Sequence, residues 1–204
     1  AGYYLNSYNI TLFNQHSISY ELGMCYMENG DYENAIKALD SAINADPNYS
    51  KALVQKGKIL MKQGDYSAAE NALNQAIQID PSYSSAYADL GQIHVSQERW
   101  VDAISSLSTA TALDSRLYKG WFLLAQSQNA QSSCEDAKES ARSALDVKSD
   151  YAPAHYELGV AETCLGNKTA AIAAFENARK DRSWRKNAEY EIDKIKNPEK
   201  YSNP

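Results

Sequence analysis

The chain is poor in the residues that break or bridge a polypeptide. Its 204 residues include 5 prolines, 9 glycines and 3 cysteines. So little Pro and Gly excludes a collagen-like or low-complexity chain. Three cysteines are too few for a disulfide scaffold, and their spacing fits no zinc motif. Phe and Trp are scarce at 3 each, whereas Tyr reaches 15. No stretch approaches the ~18 consecutive apolar residues of a membrane span, so no direct membrane insertion is expected. No basic segment runs into an apolar one as in a signal peptide. The chain starts with Ala rather than Met and reads as a processed product or a piece of something longer. Its compartment is left open: cytoplasm is the default, and an extracytoplasmic place follows if a leader or anchor was removed.

Positive charge is in deficit, with 20 Lys and Arg against 26 Asp and Glu, a net charge of −6. Such a surface repels phosphate, and no nucleic-acid partner is expected. The densest basic stretch, RSWRK at 182–186, reads as a solvated helix end. Catalytic motifs are missing too. The histidines are His16, His94 and His155, and no HExxH, nucleophile elbow, P-loop or glycine-rich nucleotide loop occurs. No enzyme activity, catalytic residue, metal ligand or cofactor is expected.

What the chain does have is a period. Residues 22–49 read LGMCYMENGDYENAIKALDSAINADPNY, and residues 53–83 read LVQKGKILMKQGDYSAAENALNQAIQIDPSY. Gly23 recurs as Gly57, the Gly30-Asp31-Tyr32 turn as Gly64-Asp65-Tyr66, and Asp46-Pro47 as Asp80-Pro81, each 34 residues on. A fixed period of that size marks a stack of helical hairpins, each covering the face its neighbour leaves bare. Five units follow without insertion or deletion: 16–49, 50–83, 84–117, 118–151 and 152–185. Position 20 of each is Ala35, Ala69, Ala103, Ala137 and Ala171. Position 27 is Ala42, Ala76, Ala110, Ala144 and Ala178. Position 8 is Gly23, Gly57, Gly91, Ala125 and Gly159, and position 24 is Leu39, Leu73, Leu107, Ala141 and Phe175. Antiparallel helices cross closely only where side chains are small, with large residues filling the space beside the crossing.

This pattern resembles the tetratricopeptide repeat family over residues 16–185. That family favours Leu-Gly at positions 7 and 8, alanine at 20 and 27, and proline at 32, here Pro47 and Pro81. Tyr26 supplies its position 11 aromatic and Trp121 its position 4 tryptophan. The last three repeats depart from it, with Ser115, Ser149 and Ser183 at position 32. The resemblance implies an all-α, right-handed α-solenoid of five 34-residue helix-turn-helix repeats plus a C-terminal capping helix at 186–197. Residues 198–204 are expected to form a loose tail. Residues 1–15 are an N-terminal segment, read either as a partial capping helix or as an aromatic strip lying on the array. The fourth repeat, with Ala125 and Ala141, is expected to be the softest.

The resemblance also implies a site. In the family, positions 2, 5, 9 and 12 of each first helix line a concave groove. Here they give Tyr20, Met24 and Met27, then Lys51, Val54, Lys58 and Met61, then Gln92, then Lys119, Phe122, Gln126 and Asn129, then Tyr156. Flexible apolar side chains and amides suit an extended or helical peptide. The three lysines would attract an acidic group. The carboxylate clamp of chaperone co-factors is not expected, because its positions hold Tyr20, Met24, Gln55, Ser85 and Asp89, and Asp89 would repel a carboxylate. The resulting expectation is a non-catalytic scaffold or adaptor for a protein or peptide. The alternatives are a self-assembling, homo-oligomeric module or the accessory domain of a longer enzyme. Cys25 is expected as a small buried hydrophobe. Cys134 and Cys164 lie near turns of neighbouring hairpins, and whether they pair is left open.

Overall fold

The period becomes structure at its turns. The computed structural model describes residues 2–201, and side chains from residue 15 onward. Position 15 of every repeat adopts a left-handed backbone: Gly30 at φ 76°, Gly64 at 81°, Glu98 at 57°, Ser132 at 59° and Gly166 at 78°. That reversal ends the first helix of each hairpin. Asp31 and Asp65 then cap the second helix, each accepting from a backbone N–H three residues on at 3.2 and 3.0 Å. The recurring Asp46, Asp80 and Asp114 close the hairpins as Asx turns, each accepting from the N–H two residues on at 3.0 Å.

The described residues contain eleven α-helices and no strand. They are α1 (Gly2–Glu28), α2 (Tyr32–Ala45), α3 (Ser50–Gln63), α4 (Tyr66–Ile79), α5 (Ser84–Ser96), α6 (Trp100–Leu113), α7 (Tyr118–Ala130), α8 (Cys134–Val147), α9 (Ala152–Cys164), α10 (Lys168–Ala178) and α11 (Arg185–Lys196). The chain divides into two units, residues 1–93 and 94–204. In the first, α1 packs on α2, α2 on α3 and α3 on α4. In the second, α6 packs on α7, α7 on α8, α8 on α9, α9 on α10 and α10 on α11.

All ten alanines at positions 20 and 27 are 0% exposed. A Cβ on Gly23 would lie 2.9 Å from Cγ of Leu39, one on Gly57 2.9 Å from Cγ of Leu73, and one on Gly159 2.6 Å from Cε1 of Phe175. Leu39, Leu73 and Phe175 are themselves fully buried. Each contributes on the order of 2 kcal/mol of apolar burial. Helix α11 closes the second unit by laying Ala188 and Ile192 against Phe175 and Ala178.

Three expectations need correction. Cys25 is exposed, not buried. It sits at position 10, where Ile59, Ile93 and Ala161 are fully buried. Their first helices have a preceding hairpin to face, whereas on α1 the face carrying Cys25 also leaves Ile18 62% and Leu22 48% exposed. The tail is not loose through Tyr201. Residues Pro198–Lys200 form a 3-10 turn, and the Tyr201 hydroxyl donates to Asp193 Oδ2 at 2.7 Å while its ring meets Tyr190. Val54, expected in the groove, is 0% exposed and packs in the core with Leu53, Leu73 and Leu90. The choice between readings of residues 1–15 falls on side chains outside the described residues, as does the end of the tail, 202–204.

Cys134 and Cys164 form a disulfide, with Cα atoms 6.0 Å apart. It joins the start of α8 to the end of α9.

Candidate functional site on the first helices

The first helix of a repeat buries its small residues against its own hairpin and leaves its larger ones partly open. In the first unit Tyr20, Met24, Met27 and Met61 are half-buried, and Lys51 and Gln92 are exposed. In the second, Phe122, Gln126, Asn129 and Tyr156 are half-buried and Lys119 is exposed. Lys51 and Lys119 have no ion pair among the described residues. Lys58 does, at 3.7 Å from Asp89 Oδ2, and so is not free to meet an acidic partner as expected.

Aromatic rings are the main content of this face, and half of them were missed from sequence. Tyr20 meets Tyr49 edge-on at 5.3 Å, and Phe122 meets Tyr151 edge-on at 5.6 Å. In both pairs a position 5 ring stands against a position 34 ring, once in each unit. Tyr49 and Tyr151 are the N-cap residues of α3 and α9, so the turn itself presents the ring. The recurrence of Tyr49, Tyr83 and Tyr151 at one repeat position was the signal available in the sequence. Edge-to-face pairs of this kind contribute about 1 kcal/mol beyond burial and hold the rings stiffly. Lys148 lies over both Tyr118 and Tyr151, at 5.2 and 5.6 Å.

Burial raises the hydroxyl pKa of Tyr20, Tyr49, Tyr83 and Tyr151. It pushes Tyr156 up to about 12, helped by the charges of Glu191 and Glu157. These hydroxyls are therefore proton donors, not phenolates, at neutral pH. Two acids sit at position 6 of their helices. Burial lifts Asp89 to about 6 against the pull of Lys58, and its Oδ2 has no hydrogen-bond partner. Burial lifts Glu157 to about 7, opposed by its hydrogen bond from Asn129. The Asn129 amide donates to the Glu157 carbonyl at 3.0 Å and to Oε2 at 2.8 Å, so this predicted groove residue is partly spent on holding α7 to α9. Tyr156 likewise packs on Phe175 and Trp184.

Two rings at position 4 are tied to the preceding turn. His155 Nε2–H donates to the Ser149 carbonyl at 2.9 Å, as Trp121 Nε1–H donates to the Ser115 carbonyl at 2.9 Å. Each ring replaces a proline-based turn with a direct tether. Among the described residues no group of three or more His, Cys, Asp or Glu is placed to hold a metal. No described helix is long and apolar enough to cross a membrane.

Closely crossed helical hairpins of 34 residues, with alanine at both close contacts, define an all-α solenoid of the tetratricopeptide class. The chain belongs to the family described as the Cilia and flagella-associated protein 70 C-terminal domain, which matches residues 4–194. Solved structures of the same fold include the MamA protein, at 24% identity, TM-score 0.73, and coverage of 90% of this chain and 96% of that one. YrrB, described as a tetratricopeptide protein with an unusual peptide-binding site, is 17% identical, TM-score 0.72, with 84% and 90% covered. PilW, described as a widely conserved type IV pilus biogenesis factor, is 19% identical, TM-score 0.73, with 88% and 85% covered. No curated protein matches.

Proposed function

We propose that the chain is a non-catalytic interaction scaffold that binds a peptide or helical segment of a partner protein on its first-helix face. The observation that carries this reading is the repeated aromatic pair. Tyr20–Tyr49 and Phe122–Tyr151 present rigid rings, half open to solvent, at the same repeat position in both units. Packing alone leaves no need for them to stay open. Around them lie the adaptable Met24, Met27 and Met61 and the amides of Gln92 and Gln126, which suit an extended backbone. The peptide-binding site of YrrB, on the same fold, supports the reading. The test is capture from native extract by the wild-type chain and by a Tyr20→Glu, Phe122→Glu variant of matched helicity. A partner kept by the first and lost by the second supports the face. Equal capture by both moves binding elsewhere.

A second reading, self-assembly, is favoured by one feature. Ile18, Leu22 and Cys25 are exposed on one side of α1, whereas the same positions on α3 and α9 are buried or half-buried. An amphipathic helix of a second copy would cover them. Sedimentation of the wild type against Ile18→Lys, Leu22→Lys decides it: a concentration-dependent mass that the variant abolishes supports assembly through α1.

A further inference from the structure

In the second unit a cleft of about 300 Å³ opens between α6, α7 and α8. Trp121, Leu124 and Thr111 wall it, and Gln128, Asp136 and Glu139 supply its polar groups. Gln128 stands at position 11, where the first repeat has Tyr26 and the second Leu60. Three features make it more than a gap. The Gln128 amide oxygen is buried with no hydrogen-bond partner, an unfavourable state that an incoming donor would relieve. Asp136 and Glu139 have no ion pair among the described residues. The nearest cations of α8 are engaged elsewhere, Lys138 with Glu135 at 3.2 Å and Arg142 with Glu162 at 3.3 Å.

The first unit provides an internal control. A cleft of about 620 Å³ lies in the corresponding place between α3 and α4. There Lys56 is part of the wall and reaches Asp40 at 2.6 Å, while Asp65 is spent capping α4. That cleft has a cation of its own. The position of Lys56 is taken by Leu124 in the fourth repeat, and that of Asp40 by Ser108 in the third, so the acids of the cleft face no built-in positive charge.

We propose that the cleft between α6, α7 and α8 is a binding site for an arginine side chain of a partner protein. A guanidinium has five donors in a planar fork, enough to serve Asp136, Glu139 and the Gln128 oxygen together. It is weakly hydrated and stacks on aromatic faces, which suits a half-apolar site. The Trp121 N–H is already donated to Ser115, which leaves its ring as the stacking surface. A lysine ammonium, a compact and strongly hydrated point charge, matches this arrangement less well. The site is separate from the first-helix face, so its failure leaves the scaffold reading untouched.

The test uses the full chain and the peptide acetyl-Gly-Arg-Gly-amide, followed by NMR of the Trp121 indole and Gln128 side-chain amide signals. The control peptide carries citrulline, a neutral near-isostere, in place of arginine. Saturable shifts with the arginine peptide, and binding about tenfold weaker with citrulline, are expected from the loss of one charge-assisted contact. Gln128→Tyr fills the cleft with the side chain that the first repeat uses at this position, so the variant should fold at least as stably and lose the shifts. Glu139→Gln should weaken binding several-fold without changing the helical spectrum. No shifts at millimolar peptide, equal binding of citrulline, or full binding by a folded Gln128→Tyr variant would each overturn the proposal.

Discussion

Two neighbouring hairpins of the second unit, α7–α8 and α9–α10, fill the same crossing in opposite ways. In α9–α10 a glycine faces a large ring: Gly159 leaves no room for a Cβ beside the fully buried Phe175. In α7–α8, Ala125 faces Ala141, and both are fully buried. The hairpins of the first unit resemble the former, with Gly23 against Leu39 and Gly57 against Leu73. The difference teaches that the crossing selects a combined volume rather than a particular residue. A methyl gained on one helix is offset by a side chain shortened on the other. A cleft beside Gln128 lies next to the α7–α8 crossing. The links from this hairpin to its neighbour include the Cys134–Cys164 disulfide, the Asn129–Glu157 hydrogen bonds and the Arg142–Glu162 ion pair.

Cutting the first link should have the largest effect. Cys134 and Cys164 are separated by 30 residues, and closing a loop of that size is worth about 3.5 kcal/mol on the chain-entropy estimate. Reduction with dithiothreitol, or Cys134→Ser, should lower Tm by about 10 °C. Amide exchange should quicken in α7 and α8 more than in α9 and α10. An unchanged Tm, or uniform acceleration along the chain, would show that the fourth repeat is not the soft one.

The second link titrates. Burial sets the Glu157 carboxyl near 7, above its ordinary value of 4.5. The folded state thus prefers the protonated acid. Its contribution is complete below about pH 4.5 and is lost as pH rises through 7, roughly 3 kcal/mol in all. Urea unfolding at pH 5 and pH 8 should show the higher stability at pH 5. Glu157→Gln keeps an acceptor for Asn129 and should flatten most of this dependence. Asp89, raised to about 6, leaves a remainder of the same sign. Stability that instead increases towards pH 8 would contradict the burial of Glu157.

Gly159→Ala tests the crossing itself. The new methyl meets the Phe175 ring at 2.6–2.7 Å, and overpacking of this kind costs about 2 kcal/mol. Adding Phe175→Leu should recover part of the loss, since Leu39 and Leu73 fill this position in the first unit. In α7–α8, Ala141→Leu alone should destabilise, and Ala125→Gly should rescue it. Additive costs in either double variant, read by thermal unfolding, would break the volume argument.

Much of this was legible in the sequence because a fixed period says which side of a helix looks inward. The ten alanines, the glycines against Leu or Phe and the Asp turns all follow from the period. It could not say which long side chain reaches across. Lys58 looked like a free groove cation until Asp89 was seen 3.7 Å away. Val54 sits at a groove position, yet its short branched side chain is drawn fully into the core. Cys25 has the right position for burial, but burial depends on what covers α1, a question no single residue answers. The aromatic partners Tyr49 and Tyr151 belong to the turns, outside the helical positions whose facing the period specifies. The disulfide needed a distance, and sequence has none.

The smallest effect separates turn chemistry from packing in the same two hairpins. α9–α10 turns at Gly166 with φ 78°, and α7–α8 turns at Ser132 with φ 59°. A side chain in this left-handed region costs about 1 kcal/mol, which glycine avoids, though glycine also gives up more freedom on folding. Ser132→Gly should therefore stabilise the chain by about 0.5 kcal/mol, and Glu98→Gly, at φ 57°, by a similar amount in the third repeat. The gain should persist under reducing conditions, because the strain resides in the backbone of the turn and does not depend on the Cys134–Cys164 bridge two residues away. A gain that disappears on reduction would mean that the bridge, rather than the repeat pattern, holds Ser132 in its left-handed conformation.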